Sequence, residues 1–303
     1  MNHMPLLLLL ILALTVGLAT GLLVWRLPRS GAASPAVEGA QKVGETIGRH
    51  GALHRGLKAR LDPAAATGLA LTLALLVVIG GGVLFALLAY LVRSNAHLHG
   101  VDNGVAKWGS AHASAFSTDG LNVVTQLGGI YVVIALSVVL AVGLTIIDRS
   151  AWVIPFVIAV MGGEEILTLT VKDLADRVRP TFNPAAASLG PSFPSGHSAT
   201  AAAFYACLAL LIGRQFRRPA RAALTGLAVG IAVAVAASRV LLDVHWLTDV
   251  IAGLALGWAW FSVCAVAFGG RLLRFGAGAE TAERAAEAKA KGEPRPRARV
   301  RLS

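Results

Sequence analysis

The chain has 303 residues; 56% are hydrophobic, only 14% are charged, and the net charge is +11. Soluble proteins carry roughly 25% charged residues, so this chain lacks the polar surface to fold in water alone, and lipid is the second solvent its apolar surplus requires. A disordered chain, a typical soluble enzyme and a secreted disulfide scaffold are thereby excluded: Cys207 and Cys264 both lie inside apolar runs, and Lys and Arg collect between those runs, which argues against nucleic acid as partner.

Seven apolar runs have the length, or nearly the length, to cross a bilayer as helices, about 20 residues each. The first, 5–25, has no Lys or Arg before it, is too long for a signal peptide and has no clear small-x-small cleavage site after it, so it reads as a retained span. A basic segment, 26–66, follows. Val43, Ile47, Leu57 and Leu61 beside Arg49, Arg55, Lys58 and Arg60 fit either an amphipathic helix on the inner leaflet or a solvated linker. The second run, 67–92, leads to a polar stretch over 93–120. There His97, His99, Asp102, His112 and Asp119 are too irregularly spaced for a metal site and read as a solvated loop.

The third and fourth runs are 121–147 and 151–171. Glu164 and Glu165 fall inside the fourth, where a carboxylate is costly unless protonated or paired. They could balance a cationic site, mark a polar path or hydrogen-bond to a neighbouring helix. Lys172 and Arg179-Pro180 close that run. Their spacing of seven is about two helical turns, which would let both cations project from one helix face. Pro194-Ser195-Gly196-His197 opens the fifth run, 198–213. The sixth is 222–237; like the fifth it is short and is expected to extend by a turn into its neighbouring motif. Ser238-Arg239, His245 and Asp249 lead into the seventh, 246–268, where Gly253 and Gly257 suit close helix packing. The tail from 269 is basic and rich in Pro and Arg near its end, which favours disorder and anionic lipid.

Orientation follows from charge. The connections 26–66, 148–150 and 214–221 with the tail hold 21 Lys and Arg, against six in 93–120, 171–197 and 238–245. Basic loops stay cytoplasmic, so the second set shares the outer face, and all three polar clusters lie on it.

Their chemistry converges on phosphate. Lys172, Arg179 and Arg239 are three cations for a dianionic group. Ser195 and Gly196 stand where a turn becomes a helix, and N–H groups there lack intrahelical partners and point at an incoming anion. His245 and Asp249 are i and i+4, within reach on one helical face; a carboxylate on one ring nitrogen leaves the other free to attack. His197, on another helix, is placed to protonate a leaving oxygen. The set needs no metal and no other cofactor.

Together the stretches KDLADRVRP at 172–180, PSGH at 194–197 and SRVLLDVHWLTD at 238–249 resemble the type 2 phosphatidic acid phosphatase family, whose pattern is K-x6-R-P, P-S-G-H and S-R-x5-H-x3-D. The resemblance implies that His245 attacks phosphorus to form a phosphohistidine, that Asp249 holds its ring, and that His197 protonates the leaving group. Lys172, Arg179, Ser195, Gly196 and Arg239 would bind the phosphate oxygens. It also implies an all-α, polytopic membrane bundle with a six-span phosphatase domain over 67–268; one extra N-terminal span in 1–25 and cytoplasmic segments at 26–66 and 269–303, read from the apolar runs and the charge count, lie outside the resemblance. Asp243 stands where many relatives have glycine; it could raise the pKa of His245, disfavour a highly charged headgroup or point into water.

The expected activity is hydrolysis of a lipid phosphate ester or diphosphate at the outer face of the cell membrane. Candidate substrates are undecaprenyl diphosphate, favoured slightly on orientation, and phosphatidic acid or phosphatidylglycerol phosphate. Transfer of phosphate to an acceptor lipid, and lipid binding or transport without turnover, are the rivals.

Overall fold

The computed structural model describes residues 3–26, 66–94, 98–148, 150 and 152–272. The basic linker expected over 26–66 falls outside the described residues except for its two ends, and nearly all of the tail does as well. Among the described residues there are nine α-helices and one short 3-10 turn: α1 (Met4–Arg26), α2 (Ala66–Arg93), α3 (Leu98–His112), α4 (Ala115–Gln126), α5 (Ile130–Asp148), α6 (Val153–Ala175), the 3-10 turn Pro184–Leu189, α7 (Gly196–Gly213), α8 (Arg218–Leu241) and α9 (Leu247–Leu272). Among the described residues seven segments are long and apolar enough to span, with α4 and α5 together forming the third. The protein is a multi-pass, all-α membrane bundle, and the fifth and sixth spans extend into their motifs as expected.

The centre is α7. Its Ala-rich surface, including Ala199, Ala201, Ala202 and Ala203, is buried on nearly every side. Small residues let neighbouring backbones approach, and close approach holds helices together in lipid, where no hydrophobic drive exists between them. A Cβ on Gly253 of α9 would lie 2.5 Å from the Ser195 carbonyl, so α9 rests directly on α7 there. Phe156, Phe204, Leu211 and Val235 fill the core between α6, α7 and α8. Lipid supplies the other environment: Leu18, Ile79, Ile146 and Ile158 face outward from α1, α2, α5 and α6.

The first span packs along α8. Gly17 and Gly21 meet Gly226, Gly230 and Ala222 in antiparallel register, with a Cβ on Gly226 falling 2.5 Å from the Gly17 carbonyl. At one end Arg218 donates to the Trp25 carbonyl, and at the other His3 meets the ring of Phe116. The N-terminus therefore lies at the same end of the bundle as the 93–120 segment.

Two expectations are corrected here. The 93–120 stretch is not a loop but contains α3 and the start of α4, and Asp102 is not solvated: it is 1% exposed. The third apolar run is not one helix. It breaks over 127–129, where a Cβ on Gly128 would lie 2.5 Å from Val235 Cγ1 and 2.7 Å from the His197 carbonyl, so only glycine lets the chain pass.

Candidate active site

Four helix ends meet at one end of the bundle. The C-terminal turns of α6 and α8 carry Lys172 and Arg239, where the negative pole of the helix favours cations. The N-termini of α7 and α9 face them, contributing unpaired N–H groups and Asp249 in the first turn.

Helix α6 stops because Asp176 turns left-handed at φ 43°, with its N–H donating to the Lys172 carbonyl at 3.1 Å; aspartate tolerates that region better than most residues. Lys172 and Arg179 thus do not share a helix face. Arg179 lies on the irregular segment beyond, which folds back over the site. Its Nε donates to the Gly190 carbonyl at 2.8 Å, and Nη2 to those of Leu189 and Pro191. Nη1 donates to the Val244 carbonyl at 2.6 Å and lies 3.1 Å from His245 Nε2. Lys172 Nζ also donates to the Pro191 carbonyl.

Ser195 is the N-cap of α7, after a cis peptide between Phe193 and Pro194. Its own N–H donates to the Asp249 carbonyl at 3.0 Å, tying the two helix starts together. The N–H groups of Gly196 and His197, at the start of α7, have no acceptor among the described residues. Gly196 faces Thr168 Cγ2 and Lys172 Cε, 3.6 and 3.9 Å from where its Cβ would stand. His197 lies within electrostatic reach of Arg239, His245, Lys172 and Arg179. Arg239 is 9% exposed; Nη1 donates to Thr125 Oγ1 at 3.1 Å, and its buried Nε has no acceptor among the described residues.

His245 and Asp249 come together, but not across a helical turn. His245 precedes the helix, and Asp249 sits in its first turn and accepts the Trp246 N–H at Oδ2, 3.0 Å away. That local cap brings the same Oδ2 to 3.5 Å from His245 Nδ1. Arg179 has only donors, so His245 Nε2 beside it must be the acceptor, which puts the ring proton on Nδ1, facing Asp249. Burial, with Arg179 and Arg239 nearby, outweighs Asp249 and holds the His245 pKa down at about 4, so the ring is neutral near pH 7.

Two residues that sequence reasoning left aside join this site. Arg177 donates from Nη1 to Asp249 Oδ1 at 2.5 Å and to Thr248 Oγ1 at 2.7 Å, and from Nη2 to Asp102 Oδ2 at 2.8 Å. Asp102 in turn accepts the Thr248 N–H at Oδ1 and the Thr248 hydroxyl at Oδ2. Thr125, which anchors Arg239, was also unforeseen. Glu164 accepts from Thr168 in its own helix and from Thr200 on α7, at 2.8 and 3.1 Å, the structural role among those considered. Asp243 adopts φ 55° and is 6% exposed rather than in water; its Oδ1 would stand 3.5 Å from a Cβ on Gly109 of α3.

The chain is similar to several known phosphatases. Residues 152–272 match the PAP2 superfamily. Phosphatidylglycerophosphatase B of Bacillus subtilis (strain 168) is 31% identical over 175 residues, covering 57% of this chain and 85% of that protein. A lipid A 1-phosphatase from Rhizobium johnstonii is 46% identical over a shorter stretch of 72 residues, 24% of this chain and 25% of the relative. The crystal structure of a transmembrane PAP2-type phosphatidylglycerolphosphate phosphatase from Bacillus subtilis superposes with a TM-score of 0.60 and 27% identity, covering 65% of this chain and 97% of that one. With 85% of a curated relative matched at 31% identity, the chain belongs to the PAP2 superfamily.

Proposed function

We propose that the protein is a lipid phosphate phosphatase that works through His245, without a metal, at the outer face of the cell membrane. The observation that carries this reading is the placement of His245 Nε2 3.1 Å from Arg179 Nη1, with Nδ1 directed at Asp249. Phosphorus approaching Nε2 brings its oxygens among Arg179, Lys172, Arg239 and the N–H groups opening α7. The Nε2–P bond forms as the P–O bond to the lipid breaks, and His197 gives its proton to the departing oxygen. Water then attacks phosphorus as the Nε2–P bond breaks; its proton goes to His197, His245 is restored as the neutral ring and phosphate is released. Asp249 stabilises the positive charge that the phosphorylated ring acquires. The cations already present do the work a metal would do, so none is invoked. Outward orientation rests on the 21-to-six asymmetry of basic residues between the two sets of connections.

For substrate, the length matched by phosphatidylglycerophosphatase B supports phosphatidylglycerol phosphate ahead of undecaprenyl diphosphate, which orientation alone had favoured. The experiment is phosphate release by purified protein in detergent with EDTA, on phosphatidylglycerol phosphate, phosphatidic acid and undecaprenyl diphosphate in parallel, beside His245→Ala. Release that vanishes in the variant supports the reading. Activity lost to EDTA and restored by Mg²⁺ refutes the metal-free mechanism. Phosphate moving to an added acceptor lipid with little free phosphate makes the protein a transferase, and binding without turnover makes it a carrier.

A further inference from the structure

Arg177 and Arg179 lie two residues apart on one irregular segment, yet they have opposite duties. Arg179 faces Nε2 of His245, where phosphate arrives. Arg177 approaches from behind and is 9% exposed. Both of its terminal nitrogens are engaged: Nη1 by Asp249 Oδ1 and Thr248 Oγ1, Nη2 by Asp102 Oδ2. Its guanidinium lies over the Trp246 ring, 5.5 Å from the centroid, and the Trp246 indole donates to the carbonyl of Val178, which stands between the two arginines. The 177–179 segment therefore clasps the His245-Trp246 segment from both sides.

We propose that Arg177, locked in place by Asp102, is a positioning residue for the nucleophile: it fixes the carboxylate of Asp249 and through it the ring of His245. This rests on the reading of His245 as nucleophile. The geometry assigns each oxygen of Asp249 a separate task. Oδ1 is held by Arg177; Oδ2 takes the Trp246 N–H and faces Nδ1 of His245. Donors on both oxygens fix the rotation of the carboxylate, with Oδ2 held 3.5 Å from Nδ1 of the imidazole. With donors on both oxygens it acts as an acceptor and leaves the proton on Nδ1, the tautomer that frees Nε2 to attack.

Asp102 performs the complementary task. A lone Arg177 beside the phosphate pocket would be a fourth cation able to swing toward substrate, away from Asp249. Asp102 holds the other arm of the guanidinium, and Thr248 pins Asp102 through both its N–H and its hydroxyl. Helix α3 is thereby part of the catalytic framework, although it contributes no group that touches phosphate.

The test is a cycle of Arg177→Met, Asp249→Asn and the double variant, with Arg177→Lys and Asp102→Asn alongside, assayed for kcat and KM on phosphatidylglycerol phosphate in micelles and for melting temperature. At metal sites, loss of an outer partner that orients a ligand typically costs about 10–100-fold, and Arg177 stands in the same relation to His245. Arg177→Met should lower kcat within that range, with KM within about threefold; Arg177→Lys should recover part of the loss; and Asp102→Asn should lower kcat about tenfold. In the Asp249→Asn background, Arg177→Met should cost less than about twofold more, because its effect acts through Asp249. An unchanged kcat in folded Arg177→Met, a loss that multiplies with that of Asp249→Asn, or a change confined to KM would each overturn the proposal. Should Arg177→Met fail to fold, Asp102→Asn with and without Asp249→Asn decides on the same criteria. His245→Ala separates the two readings: if it stays active, the nucleophile assignment fails; if it is inactive while Arg177→Met is normal, only the positioning role fails.

Discussion

Asp243 offers a perturbation whose size and pH dependence can be worked out beforehand. Its side chain is buried against α3 at Gly109, and Oδ1 has no donor among the described residues. Burial raises its pKa from the usual 3.8 to about 6. Such a shift corresponds to roughly 3 kcal/mol at about 1.4 kcal/mol per pH step, and we halve it to about 1.5 kcal/mol for solvent screening at the edge of the bundle. Because the folded-state value is the higher one, the ionised carboxyl is penalised only in the folded protein. Stability from this group is complete below 3.8, is lost as pH rises through about 6, and stays lost above it. Asp243→Asn keeps a residue that tolerates φ 55° and removes the charge. It should therefore raise the apparent melting temperature in detergent by about 3–6 °C at pH 8 and by almost nothing at pH 4. Asp243→Gly should gain similarly at pH 8, since relief of the left-handed backbone is nearly offset by the greater entropy of glycine in the unfolded chain. Turnover should be unchanged, because the charges acting on His245 are those of Asp249, Arg179 and Arg239. A gain of equal size at pH 4 and pH 8, or none at pH 8, would refute the reasoning. A shifted pH–rate profile would mean that Asp243 faces the substrate after all.

Other contacts predict equally specific outcomes. Thr125→Val removes the hydroxyl that holds Arg239; a hydrogen bond to a charged group is worth about 1.5–3 kcal/mol, so kcat/KM should fall at least about tenfold, and a change under twofold would show that Arg239 needs no such anchor. Asp249→Asn should keep the fold, judged by melting temperature, but lose up to about 10⁴-fold in kcat, as in other histidine systems that lose the orienting carboxylate; near-normal turnover would make Asp249 structural. Gly226→Leu places its Cβ on the Gly17 carbonyl, whereas the Cβ of Gly80→Leu meets nothing within 4 Å. The first should lower the melting temperature by more than about 3 °C and the second should not, and equal effects would argue that α1 does not pack on α8.

What the sequence revealed, and what it concealed, divides by range. Spans, motifs and the small-residue contact at Gly253 are local patterns, and composition and spacing display them directly. Within the motifs, spacing misleads where the helix it implies stops short. Pro180 disfavours helix at Arg179, which signals that Lys172 and Arg179 cannot share one, and the left-handed Asp176 makes the break. The His245-Asp249 pair likewise belongs to a helix start, where the carboxylate caps Trp246 before it serves the imidazole. The Gly17/Gly21 and Gly226/Gly230 pairs, each four apart, carry a contact signal of the kind read at Gly253 and Gly257, but no local pattern says which helix each will meet. Asp102 and Arg177 are harder still. They are 75 positions apart, one in a polar stretch that looked solvated and the other in an unspecified position of K-x6-R-P. Only the folding of α3 over the start of α9 gives the pair a purpose. Groups suited to bind phosphate can be recognised alone because each carries its own chemistry, whereas a residue acting through another has meaning only in the assembled bundle. For that reason the cycle that couples Arg177 to Asp249 is more informative than either single variant.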